Sequence, residues 1–109
     1  MEKESLTVAF TVKGDELTAA LSGEIDHHSA APVRKAIDAA LFKHRPACLT
    51  LDLGEVGFMD SSGLGLVLGR VALCQELGAR VRLTHPSLRA RRVLAVAGIE
   101  RLENLTVEV

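Results

Sequence analysis

Phe58-Met59-Asp60-Ser61-Ser62-Gly63-Leu64-Gly65 joins the end of an apolar strand to the start of an apolar helix through two adjacent hydroxyls. A serine at a helix N-terminus lies among unpaired backbone N–H groups and at the positive end of the helix dipole, a setting that stabilises a phosphate. The stretch therefore has two readings. Locally, Asp-Ser-Ser-Gly is an N-cap cluster. Alternatively, it displays a serine that can be modified.

Working outward, the elements on either side define a fold. Upstream, Ala47 to Leu53 is a short apolar run between breakers, which suits a central strand covered on both faces, with Asp52 near its carboxyl end. Downstream, the helix that starts around Ser61 stops at Gly78, and Arg80 to Leu83 form another short strand. Pro86-Ser87 opens a third helix carrying Leu88, Val93, Leu94 and Ala97, and Gly98 closes it before a last edge strand at Leu105, Val107 and Val109. Toward the N-terminus, Leu6, Val8, Phe10 and Val12 alternate with polar or small residues, and after Gly14-Asp15 the alternation resumes at Leu17, Ala19 and Leu21. This predicts a hairpin with one buried face. Ser29 can cap a first helix, with Pro32 in its first turn and Val33, Ile37, Ala40 and Leu41 as its apolar stripe, ending near Lys43-His44. The order β-β-α-β-α-β-α-β predicts an α/β fold, a small mixed sheet with helices packed on it, joined by right-handed crossovers.

Composition narrows the function. A chain of 109 residues with 48% hydrophobic and 25% charged content fits one globular domain spanning 1–109. Thirteen basic and fourteen acidic side chains leave a formal net charge of -1, so there is no global field to attract nucleic acid or anionic lipid. Three Phe and no Trp or Tyr supply few platforms for stacking bases. No run approaches the ~18 apolar residues of a membrane span, and no signal-peptide block follows the charged start, so a cytoplasmic protein without membrane or nucleic-acid partners is expected. Cys48 and Cys74 lack a CxxC pattern and read as small core thiols.

Around the central turn, Gly63, Gly65 and Gly69 fall within one helix, where each costs roughly 0.5–1 kcal/mol relative to alanine, so something comes close to that backbone. Gly65 and Gly69 share a face, and either the sheet or a partner could be what approaches, with packing inside the fold favoured by spacing. Leu64, Val67, Leu68 and Val71 form the expected core stripe, leaving Leu66 and Met59 directed elsewhere, near the serines, as part of a docking surface. Asp26-His27-His28 precedes the first helix and can share a rim with Ser61. Two adjacent histidines do not point to one side of an element, and no matching ligand set accompanies them, so no metal or other cofactor is expected. Arg89, Arg91 and Arg92 with Arg82 form a local basic patch, either a solvated face or a phosphate or partner site. No GxSxG elbow, phosphate-binding loop, HExxH or Ser-His-Asp set is present, so no catalytic residue is assigned.

Taken together, Gly23-Glu24-Ile25-Asp26-His27-His28, Leu51-Asp52-Leu53 and the run Phe58 to Arg70 resemble the STAS domain family, most closely its bacterial anti-sigma factor antagonists of the sporulation type, which act on sigma factor F. The resemblance spans nearly the whole chain. It implies partner switching: the unmodified antagonist binds an anti-sigma factor that is also an ATP-dependent serine kinase, releasing the sigma factor. The kinase then phosphorylates the antagonist, and a PP2C-like serine phosphatase resets it. This chain would be the substrate and not an enzyme. The family's phosphoacceptor falls on Ser61, and its loop aspartate falls on Asp26, on the kinase-facing rim or acting in phosphorylation itself. The expected partner surface is Asp26, His27, Met59, Asp60, Ser61, Ser62, Gly63, Leu64 and Leu66. The alternative is a STAS scaffold or nucleotide-binding module in which Ser61 is a helix cap and is never modified.

Overall fold

A computed structural model describes residues 5–109. Two strands, β1 (Thr7–Lys13) and β2 (Glu16–Ile25), form an antiparallel hairpin whose turn is Gly14-Asp15. Gly14 takes φ 62° there, the positive value that tight hairpins place on glycine. Helix α1 (His27–His44), strand β3 (Cys48–Met59), helix α2 (Ser61–Leu77), strand β4 (Arg80–Thr84), helix α3 (Leu88–Val96), a 3-10 turn (Ile99–Arg101) and strand β5 (Leu105–Glu108) follow. The sheet order is β1-β2-β3-β4-β5, with every pairing after the hairpin parallel. Right-handed crossovers running in one direction across such a sheet put all three helices on one face.

The core fills the space between that face and the helices. Leu17, Leu21, Leu49, Leu51, Val81 and Leu83 from the sheet are buried, as are Val33, Ile37 and Leu41 of α1, Val67 and Val71 of α2, and Leu94 of α3. Each such side chain contributes about 1.5–3 kcal/mol on burial. The α/β order and mixed sheet read from the sequence are the ones observed.

Several local expectations change. β2 alternates strictly between buried and half-buried residues, but β1 lies at the edge beyond the reach of the helices, and Phe10 and Val12 on it stay exposed. β3 continues past Leu53 to Met59, because its second half pairs with β2 after β4 has ended. Helices cover only one of its faces. On the other, Thr50 is buried by its neighbours, its hydroxyl donating to Glu16 Oε1 at 3.1 Å, while Arg82 Nη2 donates to the same oxygen at 2.6 Å. Arg82 also faces Glu108 at 3.7 Å, so it belongs to this cross-strand network and not to the basic patch of α3. Helix α1 begins at His27, capped by Asp26, so Ser29 is its third residue and Pro32 lies inside the helix. On α3 the buried residues are Ala90 and Leu94, while Leu88 is exposed. Cys74 is a core thiol, whereas Cys48 is only half-buried.

Candidate functional site

Two helices start side by side on one rim of the sheet. Ile25 of β2 and Met59 of β3 are paired in the parallel ladder, and the next residue in each chain segment is an aspartate that caps a helix. Asp26 Oδ1 accepts from the backbone N–H of His28 at 3.0 Å and of Ser29 at 2.9 Å. The Ser29 hydroxyl returns the bond, accepting from the Asp26 N–H at 3.1 Å in a reciprocal capping box. On the neighbouring helix, Asp60 Oδ1 accepts from the Ser62 N–H at 2.8 Å, and the Asp60 carbonyl accepts from Gly63 and Leu64.

This division of labour resolves the two readings of Asp-Ser-Ser-Gly in part. Asp60 is the cap and Ser61 is the first helical residue. Ser61 is exposed, and its hydroxyl has no hydrogen-bond partner among the described residues. The hydroxyl is therefore not needed to finish the helix.

The three glycines separate. An alanine Cβ at position 63 would lie 2.0 Å from Met59 Cγ and 3.3 Å from Ile25 Cγ2, so internal packing explains Gly63. At Gly65 and Gly69 a Cβ would meet nothing within 4 Å, so the close approach expected inside the fold does not occur there. Leu66 and Met59, expected to face outward, are 3% and 4% exposed. The buried face of α2 runs through Gly63, Leu66, Val67, Arg70, Val71 and Cys74, and Leu64 is instead only half-buried. Arg70 can occupy this face because its Nε lies 2.7 Å from Asp38 Oδ1 of α1, an ion pair that ties the two helices together. Burial lowers the Arg70 pKa below its ordinary value, with Asp38 opposing the shift.

Two open grooves border the start of α2, one lined by Ser62 and the other by Ser61. One, of about 330 Å³, lies between the starts of α1 and α2 and is lined by His27, Ala30, Ala31, Arg34, Ser62 and Gly65, with Leu66 at its base. The other, of about 420 Å³, lies between the start of α2 and α3 and is lined by Asp60, Ser61, Leu64, Arg92, Val93, Val96 and Ala97. Val96 is 90% exposed on its wall. The rim thus brings together Asp26, His27, Asp60, Ser61, Ser62 and Leu64, with Gly63, Met59 and Leu66 beneath. Sequence reasoning missed Arg34, Gly65 as a groove residue, and the α3 wall. The signal available for that wall was a valine, Val96, on a helix whose other exposed residues include three arginines.

His85 Nδ1 lies 3.4 Å from Asp52 Oδ1 of β3, the same oxygen that accepts from the Gly54 N–H. Neither residue lines the grooves. Among the described residues no helix is long and apolar enough to cross a membrane.

Comparison with known proteins agrees with this architecture. A family model described as "Mlab, STAS domain" matches residues 8–106. The anti-sigma F factor antagonist of Lysinibacillus sphaericus is 39% identical over 79 residues, covering 72% of this chain and 68% of that protein. The structure of the anti-sigma factor antagonist SpoIIAA in its unphosphorylated form superposes with a TM-score of 0.78 at 28% identity, covering 96% of this chain and 89% of that one. The phosphorylated form of the Bacillus cell fate determinant SpoIIAA gives a TM-score of 0.73 at 28% identity, covering 96% and 92%. The chain, with a five-stranded sheet, two aspartate-capped helices on one rim and an exposed serine on the wall of a groove, belongs to the STAS domain family.

Proposed function

We propose that the chain is an anti-sigma factor antagonist that works by partner switching, with Ser61 as its phosphoacceptor. The observation that carries this reading is the exposed Ser61 hydroxyl, left without a structural task because Asp60 caps the helix. The likeness to an anti-sigma F factor antagonist supports it and makes sigma factor F the first candidate for the system controlled.

In the unmodified state the rim formed by Asp26, His27, Asp60, Ser61, Ser62 and Leu64 docks on an anti-sigma factor serine kinase and frees the sigma factor. With ATP bound to the kinase, the Ser61 oxygen attacks the γ-phosphorus. A new O–P bond forms, the bond to the β–γ bridging oxygen breaks, ADP leaves, and the serine proton passes to the kinase. A PP2C-like phosphatase reverses the change with water. The chain is the substrate of both partners.

The charge change is sufficient. Phosphate adds about -1.5 to -2, moving the formal net charge from -1 to about -2.5 to -3. A dianion placed unpaired in a docked surface weakens binding tenfold for each ~1.4 kcal/mol, so a hundredfold release needs only about 2.8 kcal/mol. The helix N-terminus accommodates the phosphate in the free protein, so the fold survives.

The test is phosphorylation by the cognate kinase with ATP, read by intact mass. Wild type gains one phosphate and Ser61→Ala gains none. Full phosphorylation of Ser61→Ala would overturn the assignment.

A further inference from the structure

The groove between α2 and α3 has an asymmetric chemistry. Its apolar lining is Leu64, Val93, Val96 and Ala97, and its polar lining is Asp60 and Ser61 from the start of α2 and Arg92 from α3. The Arg92 side chain is exposed and has no ion pair or side-chain hydrogen bond among the described residues. Asp60 lines the same groove, its Oδ1 accepting from the Ser62 N–H, and among the described residues no ion pair joins it to Arg92. Arg92, Val93, Val96 and Ala97 lie at helical spacing on the side of α3 that faces Ser61. Arg92 also borders the groove on the other side of α3, toward Val107, which Arg91 lines without lining the Ser61 groove.

We propose that Arg92 is the intramolecular partner of phosphorylated Ser61, and that their pairing closes the α2–α3 groove over Leu64, Val93 and Val96. This rests on the reading of Ser61 as phosphoacceptor. A phosphate carries three strong acceptor oxygens, and a guanidinium presents a planar fork of donors that matches them two at a time. Before modification the neutral hydroxyl offers Arg92 no charge to pair with, so the groove stays open and its apolar wall is available to a partner. After modification the same arginine is drawn across it. Phosphorylation then acts twice, adding charge at the rim and covering apolar docking surface beside it.

The test uses the full chain carrying genetically encoded phosphoserine at position 61, with the second ionisation of the phosphate followed by ³¹P NMR. Other charged or titratable groups near the rim are Asp60 in this groove, His27 and Arg34 in the neighbouring one, and Asp26, which caps α1 beside it. Pairing with Arg92 stabilises the dianion, so Arg92→Gln raises the phosphate pKa by about 0.3–1 unit, modest because the groove is open to solvent. Arg92→Lys restores part of the shift, and Arg91→Gln leaves the pKa of the parent phosphoprotein. No change in Arg92→Gln, an equal change in Arg91→Gln, or a larger one in Arg34→Gln overturns the pairing. Because the phosphoserine is encoded, that failure leaves the kinase assay on Ser61 standing, and failure of the kinase assay leaves this measurement readable.

Discussion

Met59 and Gly63 share one space: the methionine at the end of β3 fills the position that a side chain at residue 63 would need, with Met59 Cγ 2.0 Å and Sδ 2.9 Å from where a Cβ would stand. Gly63→Ala is therefore expected to destabilise the protein by about 1–3 kcal/mol through overpacking, read by urea unfolding. Adding Met59→Ala relieves the clash, so the double variant loses less than the sum of the single changes. Gly65→Ala, which meets nothing within 4 Å, stabilises by roughly 0.5–1 kcal/mol as an ordinary helix substitution.

The two residues at the start of α2 have separable roles. Asp60→Ala removes the acceptor of the Ser62 N–H and is expected to cost about 1 kcal/mol of stability. Ser61→Ala changes an exposed hydroxyl and is expected to stay within about 0.5 kcal/mol of wild type. Thermal unfolding of the pair of variants checks this, and a larger loss at Ser61 than at Asp60 would reverse the assignment of the cap.

The α1–α2 wall depends on the Asp38–Arg70 pair. Asp38→Asn leaves the Arg70 charge buried without its partner. Because Asp38 is itself partly reached by water, the expected loss is at or below the low end of about 3–5 kcal/mol. Arg70→Met removes the charge along with the pair and is expected to cost less. Chemical denaturation of the two variants measures the difference.

Cys74 gives the fold an alkaline limit. Burial pushes its thiol from the ordinary value of 9.0 up to about 11. A raised folded-state pKa means that the contribution is complete below pH 9 and is lost as pH rises through 11, since the unfolded thiol ionises first. Unfolding free energy is therefore expected to fall between these values in wild type and to fall less steeply in Cys74→Ala. At pH 8, alkylating reagents are expected to modify half-buried Cys48 well before Cys74.

Strand-turn-helix punctuation was legible from sequence because its signals are local. Gly14-Asp15, Pro86-Ser87 and Gly78 each ended or opened an element where the structure does. The rotation of α2 was not legible. That helix is apolar nearly all round, with Leu64, Leu66, Val67, Leu68, Val71 and Leu73, so periodicity offers no single stripe. The deciding contact is Arg70 with Asp38, 32 residues apart in sequence and visible only once α1 is packed. The second wall of the site has the same origin. Val96 and Arg92 come to line the same groove as Ser61 through the β4–α3 connection. The length of β3 was missed because its last residues draw their partners from β2 alone. Ser61 itself was named from a motif, and its exposure beside Asp60 is what separates it from the capping residue.

The most direct measurement is the affinity of the cognate anti-sigma factor for this protein with serine or with encoded phosphoserine at position 61, by calorimetry at one fixed salt concentration. The unmodified protein is expected to bind, and the phosphorylated one to bind about a hundredfold more weakly or less, with both forms equally folded. Equal affinities for the two forms would contradict a switch built on charge at the Ser61 oxygen.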